Sequence, residues 1–179
     1  MRPPRARRSR VDEVALLRNW LEWLAVTRRD YLAAILRLSA RERTKDRGAS
    51  FGSIQDIYLH IVGNNIGWVE EFPADRYGTA PYLMGTPVSA ARLRSLGRRI
   101  ERADLHLART LRARDLDRKH ACSGDVNGRR FEFSTTFRTV LWHLLEEELQ
   151  HRGELNALFW QLDLDAPTSS FFRSRLSGR

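Results

Sequence analysis

Residues 141–155 read LWHLLEEELQHRGEL, and this stretch decides the fold. His143, Glu147 and His151 recur at i, i+4 and i+8, so they lie along one side of a helix. With His143 at zero and about 100° per residue, Glu147 falls at roughly 40° and His151 at roughly 80°. Phe137, Val140, Leu144, Leu155, Leu158 and Leu162 fall between about 60° and 120° on the same count. His151 is therefore expected inside the apolar face, Glu147 at its flank and His143 at its edge. Arg152, Gly153, Asn156 and Gln150 fall on the remaining side. Glu146 and Glu148 are read as solvated, as most glutamate runs are.

Working outward, three more helical patterns precede this one. They run from about Val11 to Arg43, from Ser53 to about Phe72, and from near Ser89 to about Arg114; the fourth spans about Thr135 to Leu162. Ser53 and Ser50 are both N-cap candidates for the second. All six prolines stand outside these stretches, as helix interiors require. Val126-Asn127-Gly128, followed by Phe131 and Phe133, predicts a short hairpin before the last helix. The 73–88 connection is expected to be an ordered crossover. The expectation is an all-α fold: a four-helix bundle with long crossover connections and a short β-hairpin before the last helix.

The 179 residues carry 31 Lys+Arg against 22 Asp+Glu, a net charge of +9. Five arginines lie in 1–10 and three in 167–179, with no acid in either, which leaves 23 bases against 22 acids over 11–166. The reading is a disordered basic tail at 1–10, one domain over 11–166 and a second basic tail at 167–179. Binding of nucleic acid through these tails is the weakest function class, because the body is near neutral and has no recognition module. No apolar run approaches the roughly 18 residues of a membrane span, and no secretory leader is read. The single Cys122 excludes disulfide frameworks and cysteine-rich metal clusters, and it suits the cytoplasm.

A carboxylate beside an apolar face is costly unless it is paired or binds a metal. Glu147 and His151, one turn apart, suit chelation of one ion, and a third ligand must come from elsewhere. His60, flanked by Ile57 and Ile61 on the second helix, is the natural candidate. Asn64, one turn beyond it, either shares the same cavity or caps a polar patch. From spacing alone, a satisfied core histidine and a surface Glu–His ion pair stay open as alternatives. Arg152 is expected in an ion pair with Glu148 or Glu154, and Gly153 at a close helix–helix approach. Trp142 and Trp160 lie off the apolar face, which favours a homodimer surface.

Residues 141–155, taken with Ile54-Gln-Asp-Ile-Tyr-Leu-His60, resemble the DinB-like metalloprotein superfamily, a four-helix-bundle family. Its signature is a His in the second helix and a His-x-x-x-His-Arg-Gly run in the last long helix. His60 and His151-Arg152-Gly153 match, and His143 fits a histidine often found eight residues earlier. The resemblance spans about Val11 to Leu162, and its departure is Glu147, where many members carry a histidine. It implies His60, Glu147 and His151 as ligands of a divalent transition metal, Zn²⁺ or Ni²⁺, with His143 as an additional or alternative ligand and Asn64 in the pocket. It also implies transfer chemistry on a small-molecule thiol or another small substrate, with hydrolase-like or isomerase reactions as the alternative, and a metal-binding, stress-linked bundle without catalysis stands as a separate reading.

Overall fold

The computed structural model describes residues 12–77, 83–86, 88–126, 129–167 and 170–172. The disorder expected of 1–10 and the Asn127-Gly128 turn lie outside them. Helix α1 (Glu13–Arg37) starts at Asp12, whose side chain accepts from the Ala15 amide. It stops short of the expected Arg43, because Leu38 turns extended and Ser39 caps a separate short helix, α2 (Ala40–Thr44). Helix α3 (Ile54–Asn65) is capped by Ser53, which accepts from the Asp56 amide at 3.0 Å. Ser50, the other candidate, is used elsewhere.

Beyond Asn65 the chain widens into a π-helical turn, Ile66–Glu71, and then tightens through Phe72–Ala74, where Pro73 ends it. Helix α4 (Ala90–Thr110), capped by Ser89, is followed by a single turn, α5 (Ala113–Leu116). Strands β1 (Lys119–Val126) and β2 (Arg129–Thr136) pair antiparallel, with Cys122 opposite Phe133. Thr136 then caps α6 (Phe137–Trp160). The architecture is mostly helical with one two-stranded hairpin. Of the crossover, Tyr77 stacks on Trp68 at 4.0 Å and the Gly85 amide donates to Asp56 at 2.8 Å.

Helix α1 runs along α4, and α3 along α6. The main core joins Tyr31 and Ile35 of α1 to Ile57 and Val62 of α3, Leu93 and Ile100 of α4, and Leu155 and Phe159 of α6. Burying each such side chain stabilises the fold by about 1.5–3 kcal/mol. Close approach depends on Gly97, where a Cβ would stand 2.5 Å from Leu32 Cδ2 and 3.0 Å from the Tyr58 hydroxyl. Gly153, expected at such a contact, has nothing within 4 Å of its Cβ position. Within the expected 167–179 tail, Phe171 is docked: its ring stacks on Trp20 at 4.2 Å.

A buried ion network ties the helices together. Arg28 of α1 pairs with Asp104 of α4 and, at 2.7 Å, with Glu148 of α6. Arg152 donates twice to Glu148, at 3.0 and 2.9 Å, and lies over the Trp23 ring. Asn65 of α3 donates to Asp104 at 3.0 Å. Glu148, expected in solvent, is only 2 % exposed. Arg152 is buried too, and its pairing with Glu148 is the expected one. Burial pushes the Glu148 carboxyl up, but Arg28 and Arg152 outweigh it and hold it below the usual range. Burial wins at Asp104, pushing its carboxyl up to about 6 against the pull of Arg28 and Asn65.

Candidate metal centre

Two helices and one loop build the site. On α6, one turn of spacing stacks Glu147 and His151; on α3 the same spacing stacks His60 and Asn64. Packing α3 against α6 brings His60 Nε2 to 3.1 Å from Glu147 Oε2, while His151 Nε2 lies 3.5 Å from that same oxygen. The two imidazole rings meet edge to face, with centroids 4.6 Å apart. One ligand atom from each of the three residues lies within 4.8 Å of the others.

The loop ahead of α3 completes the surroundings. Gly52, at φ +75°, makes the turn that leads from Phe51 into the Ser53 cap, a conformation that favours glycine. The Phe51 ring stacks on His60 at 4.0 Å and approaches His151 at 5.2 Å. Ser50 donates to Glu154 Oε2 at 2.7 Å, and that oxygen accepts from His151 Nδ1 at 2.8 Å. With its Nδ1 proton on Glu154, His151 keeps the Nε2 lone pair on the side of Glu147.

Asn64 Nδ2 lies 2.9 Å from both His60 Nε2 and Glu147 Oε2, so it shares the site and donates to Glu147. If it also donates to His60 Nε2, that nitrogen too is an acceptor, assigned from the bonding pattern. Three lone pairs, two on nitrogen and one on carboxylate oxygen, then face one another. That acceptor-rich set fits a divalent cation, and His₂Glu is a ligand set of catalytic metal sites with a position left open.

Protonation states agree with this. Burial lowers the pKa of His60, and nearby His151 adds to the effect against the pull of Glu147, so the imidazole is neutral and able to bind metal. Burial pushes the Glu147 carboxyl up, but in the metal-free protein a His60 Nε2 that carries the proton donates to it, and that bond with the nearby His143 and His151 holds it low. Glu154 is likewise held low by His151 and Ser50 against its burial. His60 and Glu147 are thus both shifted toward the forms that bind a cation.

His143 is not brought to this cluster. It stands one turn before Glu147 with its side chain 45 % exposed, 3.9 Å from Glu146 and edge-on to Trp68. The cluster of His60, Glu147 and His151 does not include it. Glu154, Ser50 and Phe51 were not foreseen from sequence. Glu154 carried a signal, standing three residues after His151 on the same side of the helix; the loop residues carried none.

The family model for the DinB family matches residues 12–168 of the chain. Among curated proteins no relative matches it.

Proposed function

The chain belongs to the DinB family, and from that premise we propose a metal-dependent enzyme in which His60, Glu147 and His151 hold one divalent transition-metal ion. In this reading α1, α3, α4 and α6 are the four-helix bundle of the family. The ion is Zn²⁺ or Ni²⁺, the substrate a small-molecule thiol, and the reaction an S-transfer in the cytoplasm. The observation that carries the proposal is the convergence of three acceptor atoms within 4.8 Å. When bound, a divalent ion supplies Lewis acidity that lowers the pKa of a thiol or water toward neutrality. The chain's own residues hold the geometry: Glu154 and Ser50 orient His151, Phe51 covers the His60 ring, and Asn64 donates to Glu147.

Metal analysis of tag-free protein tests the site. One equivalent is expected in the wild type, with loss in His60→Ala, Glu147→Ala and His151→Ala. Full occupancy in all three variants overturns the ligand set. Calorimetry of the metal-loaded protein against a panel of low-molecular-weight thiols then tests the substrate class. A loaded protein that binds no thiol overturns the transferase reading and leaves a metal-binding bundle.

The proposal extends to a homodimer through the outer face of α6. Trp142, Leu149 and Trp160 are exposed there, Trp160 by 64 %, and with Gly153 they fall within about 40° of one helix face. Light scattering reads the outcome: a dimer is expected, and Trp160→Glu should give a monomer.

A further inference from the structure

A second cavity, of about 620 Å³, has none of His60, Asn64, Glu147, His151 or Glu154 in its walls. Its size falls within the roughly 300–1,000 Å³ range of small-molecule sites. Val69, Pro73, Ala103, Leu107 and Phe137 form apolar parts of the wall, and three arginines stand against Glu70 and Asp115.

The arginines are not equivalent. Arg99 is clamped on Glu70, with Nη2 at 2.7 Å, and Arg118 pairs with Asp75 at 3.2 Å. Arg102 makes no hydrogen bond or ion pair among the described residues. His106, one turn further along α4, also lines the cavity, and its side chain makes none among them either. The wall thus offers one unneutralised guanidinium beside apolar surface.

Two further features mark this cavity as more than a packing gap. His120 lines it and is almost fully buried, with Nδ1 at 2.6 Å from Asp75 Oδ1 and its ring tilted on Phe72. Asp75 sits at φ 54°, in the left-handed region that favours glycine. The backbone bond from the Asp75 amide to Phe72 holds it there, so local strain accompanies the fixing of His120. The π-helical turn Ile66–Glu71 contributes Val69 and Glu70 to the wall, and such turns are rare and frequent at functional sites.

We propose that this cavity binds a small organic carboxylate with an apolar body. The carboxylate pairs with Arg102, and the body lies on Val69, Ala103, Leu107 and Phe137. His120, fixed through Nδ1 on Asp75, closes part of the wall around it. The proposal is independent of the metal centre.

Calorimetry of the full-length protein with 2-naphthoate tests it, with 2-naphthylmethanol as the uncharged counterpart. One equivalent of naphthoate is expected to bind, and the alcohol at least tenfold more weakly. Arg102→Gln, at an exposed position that does not threaten folding, should weaken naphthoate at least tenfold. Ala103→Trp should fill the space and abolish binding, while His60→Ala should leave it unchanged. No binding to wild type at millimolar naphthoate overturns the site. Undiminished binding to Arg102→Gln, or equal binding of the alcohol, overturns the carboxylate assignment. Loss of binding in His60→Ala overturns its separation from the metal centre.

Discussion

Two polar clusters share α3 and α6, built from residues next to each other in the chain. Asn64, Glu147 and His151 belong to the metal centre, whereas Asn65, Glu148 and Arg152 belong to the buried ion network. One residue of helical rotation, about 100°, separates the two outcomes. In the network two carboxylates meet two guanidiniums, and nearly all the charge is paired inside the protein. In the centre one carboxylate lies within reach of two imidazoles, and Asn64 donates to it. A sealed, matched cluster fixes helix positions; a half-buried one of two imidazoles and a carboxylate could hold a cation. The network links α1, α3, α4 and α6, and so holds the two helices that carry the candidate ligands against each other.

The most severe way to break that division is to unbalance the network. Arg28→Ala leaves Asp104 without its guanidinium and Glu148 with Arg152 alone, and losing one partner of a buried pair costs about 3–5 kcal/mol. Chemical denaturation should show a loss of that order. Alanine at His60, in the half-buried centre, should cost the metal-free protein much less. A His60→Ala variant as unstable as Arg28→Ala would show that the centre also carries the fold.

Titration separates the two carboxylates of the network. Asp104 has a raised pKa, about 6, against about 3.9 in an unfolded chain. Between those values the folded state holds the extra proton, so stability from this group is greatest at low pH and declines as pH rises from about 4 to about 6. Glu148, held low, contributes in the opposite sense, losing stability as pH falls through its folded pKa. The stability of wild type relative to Asp104→Asn should therefore fall between pH 4.5 and 6.5, by up to about 2 kcal/mol. A difference that grows over this range contradicts the raised pKa.

Much of this was legible in the sequence, for identifiable reasons. Helical spacing brought Glu147 and His151 to one side, and an isolated histidine between isoleucines pointed to His60. Prolines and turn residues placed the helices and the hairpin. Glu148 was misread because it sits in a glutamate run. Its own angle, about 140° from His143, stands beside Leu155 at about 120° and so against the core. Its partner Arg28 is 120 residues away, and Arg28 meets Asp104 across 76, separations on which local periodicity is silent. The break at Ser39 and the widening at Ile66 arise where a cap or tertiary packing overrides a continuous apolar pattern.

A smaller perturbation asks how far the centre depends on its support. Glu154→Gln keeps the shape of the side chain and removes the charge that orients His151 through Nδ1. Loss of such an outer partner typically costs about 10–100-fold in metal affinity. Competition with a chelator should show a drop in that range, with the unfolding midpoint of the metal-free protein nearly unchanged. An unchanged affinity would mean that packing against Phe51, rather than Glu154, orients the ring.

The smallest effect concerns two helical glycines with opposite surroundings. At Gly97 an added methyl meets Leu32 and Tyr58, so Gly97→Ala should destabilise by about 1–3 kcal/mol. At Gly153 the space is open, and in an exposed helix interior alanine is better than glycine by about 0.5–1 kcal/mol. Gly153→Ala should therefore raise the stability of the single chain. Its place between Trp142, Leu149 and Trp160 gives the same substitution a second reading. If two copies meet across this face, the methyl stands where the partner helix approaches, and dimer affinity should fall while the monomer becomes more stable. Light scattering across a dilution series, run beside thermal unfolding, distinguishes the cases. A gain in both stability and dimerisation would mean that the glycine serves neither the fold nor the contact.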